Sequence, residues 1–323
     1  MPTECVIGVD LGGTHLKAAA VDSALKVRAQ TQRIVAGLEL AKLLDTAVEA
    51  VEELRAGLAE DVDAVGFGIP CLIDEERGLA ASSTHLPIAG LPFAAVMAER
   101  LALTVFVDND ANLALLAEHR HGAARGERVA LMLTLGTGVG GAIAFDGELY
   151  RGAQGAAGEF GHIIVAPDGP PCGPGCPSRG CLEALTSGSA LAREARAAAA
   201  REPDSALALA AAAGRELDGP LVSELAAAGD PVALALLRTL GEWLGIGLTS
   251  LVNIFNPDVI VVGGGVSGAG ELILEPARRV LRARTPALPA EHVAIRVARF
   301  GAAAGMLGAA QFARESIARR IAA

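Results

Sequence analysis

Short apolar runs open the chain and have the spacing of β-strands. Cys5 to Leu11 forms one run, a glycine pair follows, and Thr14 to Val21 forms the next. Two such runs joined by a glycine turn are typical of a β-hairpin. The stretch from Val27 to Ile34 predicts a third strand. The chain is therefore expected to begin with the sheet of an α/β domain.

Helical spacing then alternates with further strand-like runs. Leu38 to Leu58 has apolar residues at helical intervals, and Val62 to Ile69 predicts a buried strand that Pro70 ends. The run Val105 to Val107 predicts another strand, which leads into a helix from Ala111 to His119. Helices alternating with strands are typical of α/β proteins, and this is the predicted fold class.

The middle of the chain repeats the pattern of its start. The apolar segment from Val129 to Phe145 is interrupted by glycines and predicts a second hairpin. Alanine-rich helices are predicted from Ser189 to Ala213 and from Ser223 to Leu240, and a strand from Val259 to Val262 leads into glycines 263–265. The repetition predicts a duplicated α/β unit with a nucleotide cleft between two lobes.

Composition narrows the classes of partner. The 323 residues are 52% hydrophobic and 20% charged, which describes a folded protein large enough for two lobes. The formal net charge of -10 argues against nucleic-acid partners, which require clustered Lys and Arg. The chain has no secretory signal pattern, and no apolar run approaches the roughly 20 residues that span a bilayer. We therefore expect a cytoplasmic protein without a membrane partner.

The cysteines suggest a metal site. Of five in the chain, Cys172, Cys176 and Cys181 fall within ten positions, and His162 precedes them. Three thiolates and an imidazole suit a closed tetrahedral shell for structural Zn²⁺. Cys5 and Cys71 lie in apolar runs and are expected to be small buried hydrophobic residues.

The first glycine turn has the chemistry of a phosphate loop. A strand delivers Asp10 to a turn where Gly12 and Gly13 let backbone amides approach phosphate oxygens, Thr14 adds a hydroxyl, and Lys17 follows. An ordinary hairpin would have the same pattern. The choice depends on whether a second turn of this design is present.

A second turn of this design is present around Gly136, Thr137 and Gly138. Two such turns suit the polyphosphate tail of ATP, and neither has the spacing of a P-loop or of a dinucleotide fingerprint. At the third glycine run, Gly264 and Gly265 leave bare backbone against which an adenine ring could lie. Close packing of a helix on a strand is the alternative explanation of that run.

Six motifs in order resemble those of the ROK family of bacterial sugar kinases and related repressors, and among them the glucokinases. The resemblance implies the actin-like ATPase (ribonuclease H-like) fold and nearly end-to-end similarity. The motifs are Asp10 to Lys17, Asn109 to Asn112, Leu135 to Gly141, Gly158 to His162, Gly180 to Glu183 and Val261 to Gly265.

The resemblance also implies a role for each matched residue. Asp110 is expected to be the catalytic base, Asn109 to bind a sugar hydroxyl, and Asp10 to orient Mg²⁺ beside the phosphates. The alternative for Asp108 and Asp110 is capping of the helix that follows, because aspartate and asparagine favour helix starts.

Sugar contacts are expected from Glu159, His162 and Glu183, with His162 serving both the sugar and zinc. Glu183 could instead be a charge that favours a helix start. Two features depart from the family pattern. Cys172 and Cys176 are separated by three residues where the family has one, and His85 stands where an asparagine is common.

Together these motifs predict ATP-dependent phosphorylation of a hexose, with glucose to glucose 6-phosphate as the leading reaction. The expected lobes are residues 1–118, with a C-terminal helix at about 302–323 packing back on them, and residues 119–301 with the zinc loop. The alternatives are a polyphosphate donor, another hexose or N-acetylhexosamine, and a sugar-responsive regulator. A regulator is disfavoured because the chain starts directly at its first strand, without a DNA-binding module. A homodimer or homotetramer is expected by resemblance.

Overall fold

The computed structural model describes residues 5–59, 61–74, 77–83 and 86–322. The chain divides into two compact units. Unit 1 consists of residues 1–126, 148–157 and 302–323, and unit 2 of residues 127–147 and 158–301. The chain therefore leaves unit 1 and returns to it twice.

Strands and helices alternate along the described residues. The strands are β1 (Cys5–Leu11), β2 (His15–Asp22), β3 (Val27–Ile34), β4 (Val62–Ile69), β5 (Cys71–Asp74), β6 (Leu79–Ser83), β7 (Thr104–Asn109), β8 (Val129–Leu135), β9 (Val139–Phe145), β10 (Glu148–Leu149), β11 (Val259–Gly263) and β12 (Ala294–Val297). The helices are α1 (Leu40–Ala56), α2 (Phe93–Leu101), α3 (Asp110–His121), α4 (Leu182–Thr186), α5 (Gly188–Arg201), α6 (Ala206–Ala212), α7 (Gly219–Ala227), α8 (Pro231–Phe255), α9 (Glu271–Arg284), α10 (Ala287–His292) and α11 (Ala304–Ala322).

The two units repeat one strand topology. In unit 1 the order is β3-β2-β1-β4-β7, with β1 antiparallel to β2 and parallel to β4, and with β4 parallel to β7. In unit 2 the order β9-β8-β11-β12 has the same directions, because β8 is antiparallel to β9 and parallel to β11. The predicted duplication of an α/β unit is confirmed.

The core of unit 1 closes only with the last helix of the described chain. Strands β1 and β4 are buried on both faces, and α11 packs directly on them. A side chain at Gly66 would overlap the carbonyl of Ala309, and one at Gly8 would overlap that of Met306. The glycines therefore allow helix and sheet backbones to approach closely.

Unit 2 is built around the long helix α8. Gly241 and Gly245 on α8 let it approach α9, since a side chain at either would meet the α9 backbone at Ile273 or Ala277. Among the described residues, α8 alone is long and apolar enough to cross a membrane by length and composition. The expectation that no segment approaches that length was wrong by this measure. Buried core helices pass the same test, and α8 packs on α4, α5, α7 and α9.

The predicted strands agree closely with the observed ones, while the middle of the chain is more broken than predicted. The stretch predicted as one helix from Ser189 to Ala213 is two, α5 and α6, because Ser205 starts a new helix by accepting the amide of Ala208. The stretch from Ser223 to Leu240 likewise divides into α7 and α8 at Asp230, which caps α8 through the Ala233 amide. The hairpin of β5 and β6 was not predicted.

Candidate active site and metal centre

Asp10 is the penultimate residue of β1, beside the first glycine turn. The Gly12 amide donates to the His15 carbonyl at 3.0 Å and closes the turn, and Lys17 lies opposite Asp10 across the hairpin. Burial and the nearby Asp110 carboxylate raise the Asp10 pKa to about 7, while Lys17 opposes the shift. The turn therefore lies beside two carboxylates and an ammonium group.

Asp110 is the first residue of α3, directly after the end of β7. The cap of α3 is Asn109, whose side-chain oxygen accepts the amides of Ala111 at 2.9 Å and Asn112 at 3.2 Å. Its side-chain nitrogen donates to the Cys71 carbonyl at 3.3 Å. Asn109 is thus the N-cap residue of α3, and Asp110 Oδ1 also accepts the Ala111 amide at 2.9 Å.

Asp108 is buried and paired with Arg151. One carboxylate oxygen of Asp108 accepts the Arg151 Nε at 2.9 Å and Nη2 at 2.6 Å. The other oxygen accepts the Asn109 amide at 2.7 Å and the Asn112 side chain at 3.1 Å. No sequence pattern pointed to Arg151, because 43 positions separate it from Asp108.

The second glycine turn, in unit 2, is held by Glu183. The Gly136 amide donates to the Gly138 carbonyl at 2.9 Å, and the Val139 amide donates to Glu183 Oε2 at 2.8 Å. A side chain at Gly138 would overlap the Glu183 carboxylate. Glu183 lies in the first turn of α4 and is therefore both a helix-start charge and a neighbour of the turn.

Residues Gly158 to His162 pack tightly on β9. Side chains at Gly158 or Gly161 would overlap the carbonyls of Gly141 or Val139. Glu159 and His162 themselves are exposed. His162 Nε2 lies 3.8 Å from Glu159 Oε2, so one edge of the imidazole faces this carboxylate.

The other edge of His162 faces the cysteines. His162 Nδ1 lies 3.6 Å from the Cys172 sulfur, and the sulfurs of Cys176 and Cys181 lie 3.9 Å apart. All four donor atoms lie within 4.8 Å of one another. Donors around a tetrahedral Zn²⁺ are separated by roughly 3.5–3.8 Å, given bond lengths of about 2.0–2.3 Å. The set fits zinc, and the longer Cys172 spacing still brings that thiol into the cluster.

The thiols of the cluster differ in the direction of their pKa shifts. Burial raises the pKa of Cys172 and of Cys181, and a backbone amide at Ser178 lowers the pKa of Cys176. Thiols of raised pKa stay protonated at neutral pH unless a cation replaces the proton. A bound Zn²⁺ would supply that replacement for Cys172 and Cys181.

The third glycine run follows β11. Gly264 has a φ of 84°, and a side chain there would overlap the backbone of Leu135 at the end of β8. At Gly265 a Cβ would meet no atom within 4 Å. Gly264 thus has a packing role, and Gly265 leaves open backbone. The departure noted at His85 lies outside the described residues.

Residues 6–316 match the model of the ROK family. The chain belongs to the ROK family. Its relatives include a glucokinase of Streptomyces coelicolor, 36% identical over 313 residues that cover 96% of this chain and 97% of the relative. An N-acetylmannosamine kinase of Citrobacter koseri is 31% identical, with 95% and 98% covered.

A solved ROK structure supports the same assignment. The glucokinase of Streptomyces griseus, crystallised with glucose and AMPPNP, is 37% identical and superposes with a TM-score of 0.88, covering 96% of this chain and 99% of that one. The predicted actin-like ATPase fold is thereby confirmed. The predicted nucleotide cleft stays a prediction.

The raised pKa of Asp10 gives a test of this ROK site by stability. Its pKa of about 7 in the folded protein exceeds the ordinary aspartate value of 3.8, so folding takes up a proton between these pH values and stability falls as the pH rises through this window. Above pH 7 the loss in the free energy of unfolding reaches its full value, which is at most about 4 kcal/mol. Asp10→Asn removes this cost. We expect the variant to unfold at higher urea than wild type at pH 8, and the advantage to shrink towards pH 4.

The measurement uses urea unfolding with EDTA present and nucleotide absent. The control is Asp63→Asn, which makes the same chemical change at an exposed position of β4. Equal stability of Asp10→Asn and wild type at pH 8 would contradict the raised pKa.

Proposed function

We propose that the chain transfers the γ-phosphoryl group of ATP to a hexose hydroxyl, with glucose as the leading acceptor and Asp110 as the base. The observation that carries the proposal is the pair of carboxylates in unit 1. Asp110 follows the end of β7 and Asp10 lies one residue before the end of β1, in the sheet that also presents the first glycine turn. Strand ends of α/β sheets are the usual location of such sites.

The reaction needs little covalent chemistry from the protein. Asp110 accepts the proton of the sugar hydroxyl, and that oxygen forms a bond to the γ-phosphorus while the bond from phosphorus to the bridging oxygen of ADP breaks. The proton ends on Asp110 and the electron pair leaves with ADP. Mg²⁺, bound with ATP and oriented by Asp10, would offset the phosphate charge.

The backbone amides of the two glycine turns are proposed to hold the phosphates. The lack of a side chain at Gly12 and Gly138 supports this role, because a Cβ would come within 3.2 Å of the His15 carbonyl at Gly12 and would overlap the Glu183 carboxylate at Gly138. Lys17 donates to the Ala302 carbonyl at 3.3 Å and lies opposite Asp10, where its charge suits a phosphate or Mg²⁺-linked carboxylate. Gly264 and Gly265 are proposed to lie beside the base.

Glu159, His162 and Glu183 are proposed to bind the sugar, together with Asn109. Carboxylates suit this task because each accepts two or more hydroxyl hydrogen bonds. Glu183 supports the proposal structurally, since its Oε2 is fixed by the Val139 amide and Oε1 lies 3.8 Å from the Cys172 sulfur. A structural zinc on His162 and the cysteines would thus order the sugar contacts.

A sugar panel tests the proposal. The purified protein would be assayed for hexose phosphate formation on glucose, mannose, fructose, allose, N-acetylglucosamine and N-acetylmannosamine, with ATP and with polyphosphate. We expect glucose with ATP to give the highest kcat/KM. A preference for polyphosphate would contradict the proposal that ATP is the donor. If no sugar is phosphorylated and the protein binds genomic DNA fragments, the result would favour the sugar-responsive regulator. Cytoplasmic location and a homodimer or homotetramer stay predictions.

A further inference from the structure

The pair of Arg151 and Asp108 lies beside the catalytic segment without belonging to any of the proposed binding roles. Asp108 is 2% exposed and Arg151 is 21% exposed, so both charges are largely removed from water. A buried carboxylate is costly unless it is paired and fully hydrogen-bonded. Asp108 meets this condition, because it accepts two hydrogen bonds from Arg151 and two from Asn109 and Asn112.

These contacts connect Arg151 to Asp110 in two steps. Arg151 fixes one oxygen of Asp108, and the other oxygen fixes the Asn109 backbone and the Asn112 side chain. Asn109, which precedes Asp110, in turn caps α3 by accepting the amides of the two residues that follow Asp110. The backbone on both sides of Asp110 is therefore tied to the guanidinium.

Arg151 is itself held from three directions. Its guanidinium lies 5.7 Å from the centre of the Phe312 ring on α11, and its carbonyl accepts the Ala157 amide at 3.0 Å. Within the loop so closed, Gly155 has a φ of 74° and approaches the Ile73 carbonyl so closely that a side chain would overlap it. The segment 148–157 is thus fastened to unit 1, and it continues directly into Gly158 and Glu159.

We propose that Arg151 is a positioning residue that holds the turn presenting Asp110 through the carboxylate of Asp108. The inference rests on the proposed role of Asp110 as base. Arg151 touches neither the substrate nor the reacting atoms in this account. The guanidinium donates from two fixed positions, Nε and Nη2, to the same Asp108 oxygen and so defines the place of that oxygen, whereas a lysine would keep only the charge.

The test compares Arg151→Met with Arg120→Met. Arg120 lies at the other end of α3 and pairs with Glu315 through contacts of 2.7 and 3.2 Å, at a similar exposure of 24%. Both variants lose a two-bond ion pair of unit 1. We expect Arg151→Met to lower kcat by about 10²-fold, because a small misplacement of a catalytic group has this effect. We expect Arg120→Met to keep its kcat within about twofold of wild type. Both variants should keep their affinity for AMPPNP within about twofold of wild type.

Two further variants separate positioning from general destabilisation. Arg151→Lys keeps the charge and should recover kcat to within about tenfold of wild type. The double variant Asp108→Asn with Arg151→Met should unfold at higher urea than Arg151→Met, because it removes an unpaired buried charge, and its kcat should stay low. A kcat for Arg151→Met within twofold of that for Arg120→Met would overturn the inference.

Hydrogen exchange decides the point without any assay of activity. We expect faster exchange than in wild type at the amides of Asn109, Ala111 and Asn112 in Arg151→Met. In Arg120→Met these amides should exchange at the wild-type rate. Unchanged exchange in both variants would overturn the positioning role. If the wild type phosphorylates no sugar, the proposed function fails, while the exchange comparison still decides whether Arg151 holds this turn.

Discussion

Asp110→Asn is expected to lower kcat by about 10²–10⁴-fold while the protein stays folded. The amide cannot accept the hydroxyl proton, and asparagine is tolerated at a helix start, where Asn109 already supplies the cap. The measurement is a coupled assay of ADP release with the best sugar, together with the affinity for AMPPNP and the unfolding midpoint. The affinity for AMPPNP and the unfolding midpoint should both stay close to the wild-type values.

The matched control is Asp146→Asn, the same chemical change at an exposed position. Asp146 has a φ of 48°, a conformation that asparagine adopts readily, and it pairs with Arg128 at the surface. This variant should keep wild-type kcat. If Asp110→Asn retains even a tenth of wild-type turnover, Asp110 is not the base.

Cys176→Ser is expected to reduce bound zinc from about one per chain to a small fraction, and to raise the KM for sugar by about 10–100-fold. The metal would link His162 to the loop of cysteines, and both His162 and Glu183 are proposed sugar contacts. Cys176 is chosen because it is only partly buried. Serine at this position disturbs the packing less than it would at a buried cysteine, so the loss of the metal ligand is the main effect.

The control for this variant is Cys5→Ala, which removes a buried thiol outside the cluster. It should keep its zinc content and its KM for sugar. Metal analysis by mass spectrometry and sugar kinetics would be compared across wild type, both variants and a chelator-treated sample. A metal-free preparation with unchanged sugar KM would refute the role of zinc in ordering these contacts.

Local patterns sufficed for the strands. The apolar runs of β1 and β4 were placed to the residue, because a buried strand needs a short apolar run and a glycine or proline to end it. The bounds of β3, which is alternately half-buried and exposed, were also placed to the residue. Cys5 and Cys71 are buried as expected. The helices of the alanine-rich region were merged because alanine favours helix everywhere, so the breaks depend on single capping residues such as Ser205 and Asp230.

Some residues of the candidate site could likewise be predicted from local sequence patterns, and others could not. The four zinc-fitting residues were found because three cysteines lie close in sequence, and the structure brings their donor atoms together with His162. Arg151 was missed because its partner is distant in sequence and a single arginine in a polar segment carries no pattern. The capping role of Asn109 was also missed, since Asp108, Asn109 and Asp110 are all good caps and only coordinates select one.

The packing of α11 on β1 and β4 constrains the order in which the chain can fold during translation. The glycines at 8 and 66 have no partner backbone until residues 304–322 emerge from the ribosome, after all of unit 2. Unit 2 can complete its own sheet earlier, whereas the sheet that carries Asp10 and Asp110 must wait with one face uncovered. The sheet that carries Asp10 and Asp110 is therefore the last to be covered as the polypeptide grows.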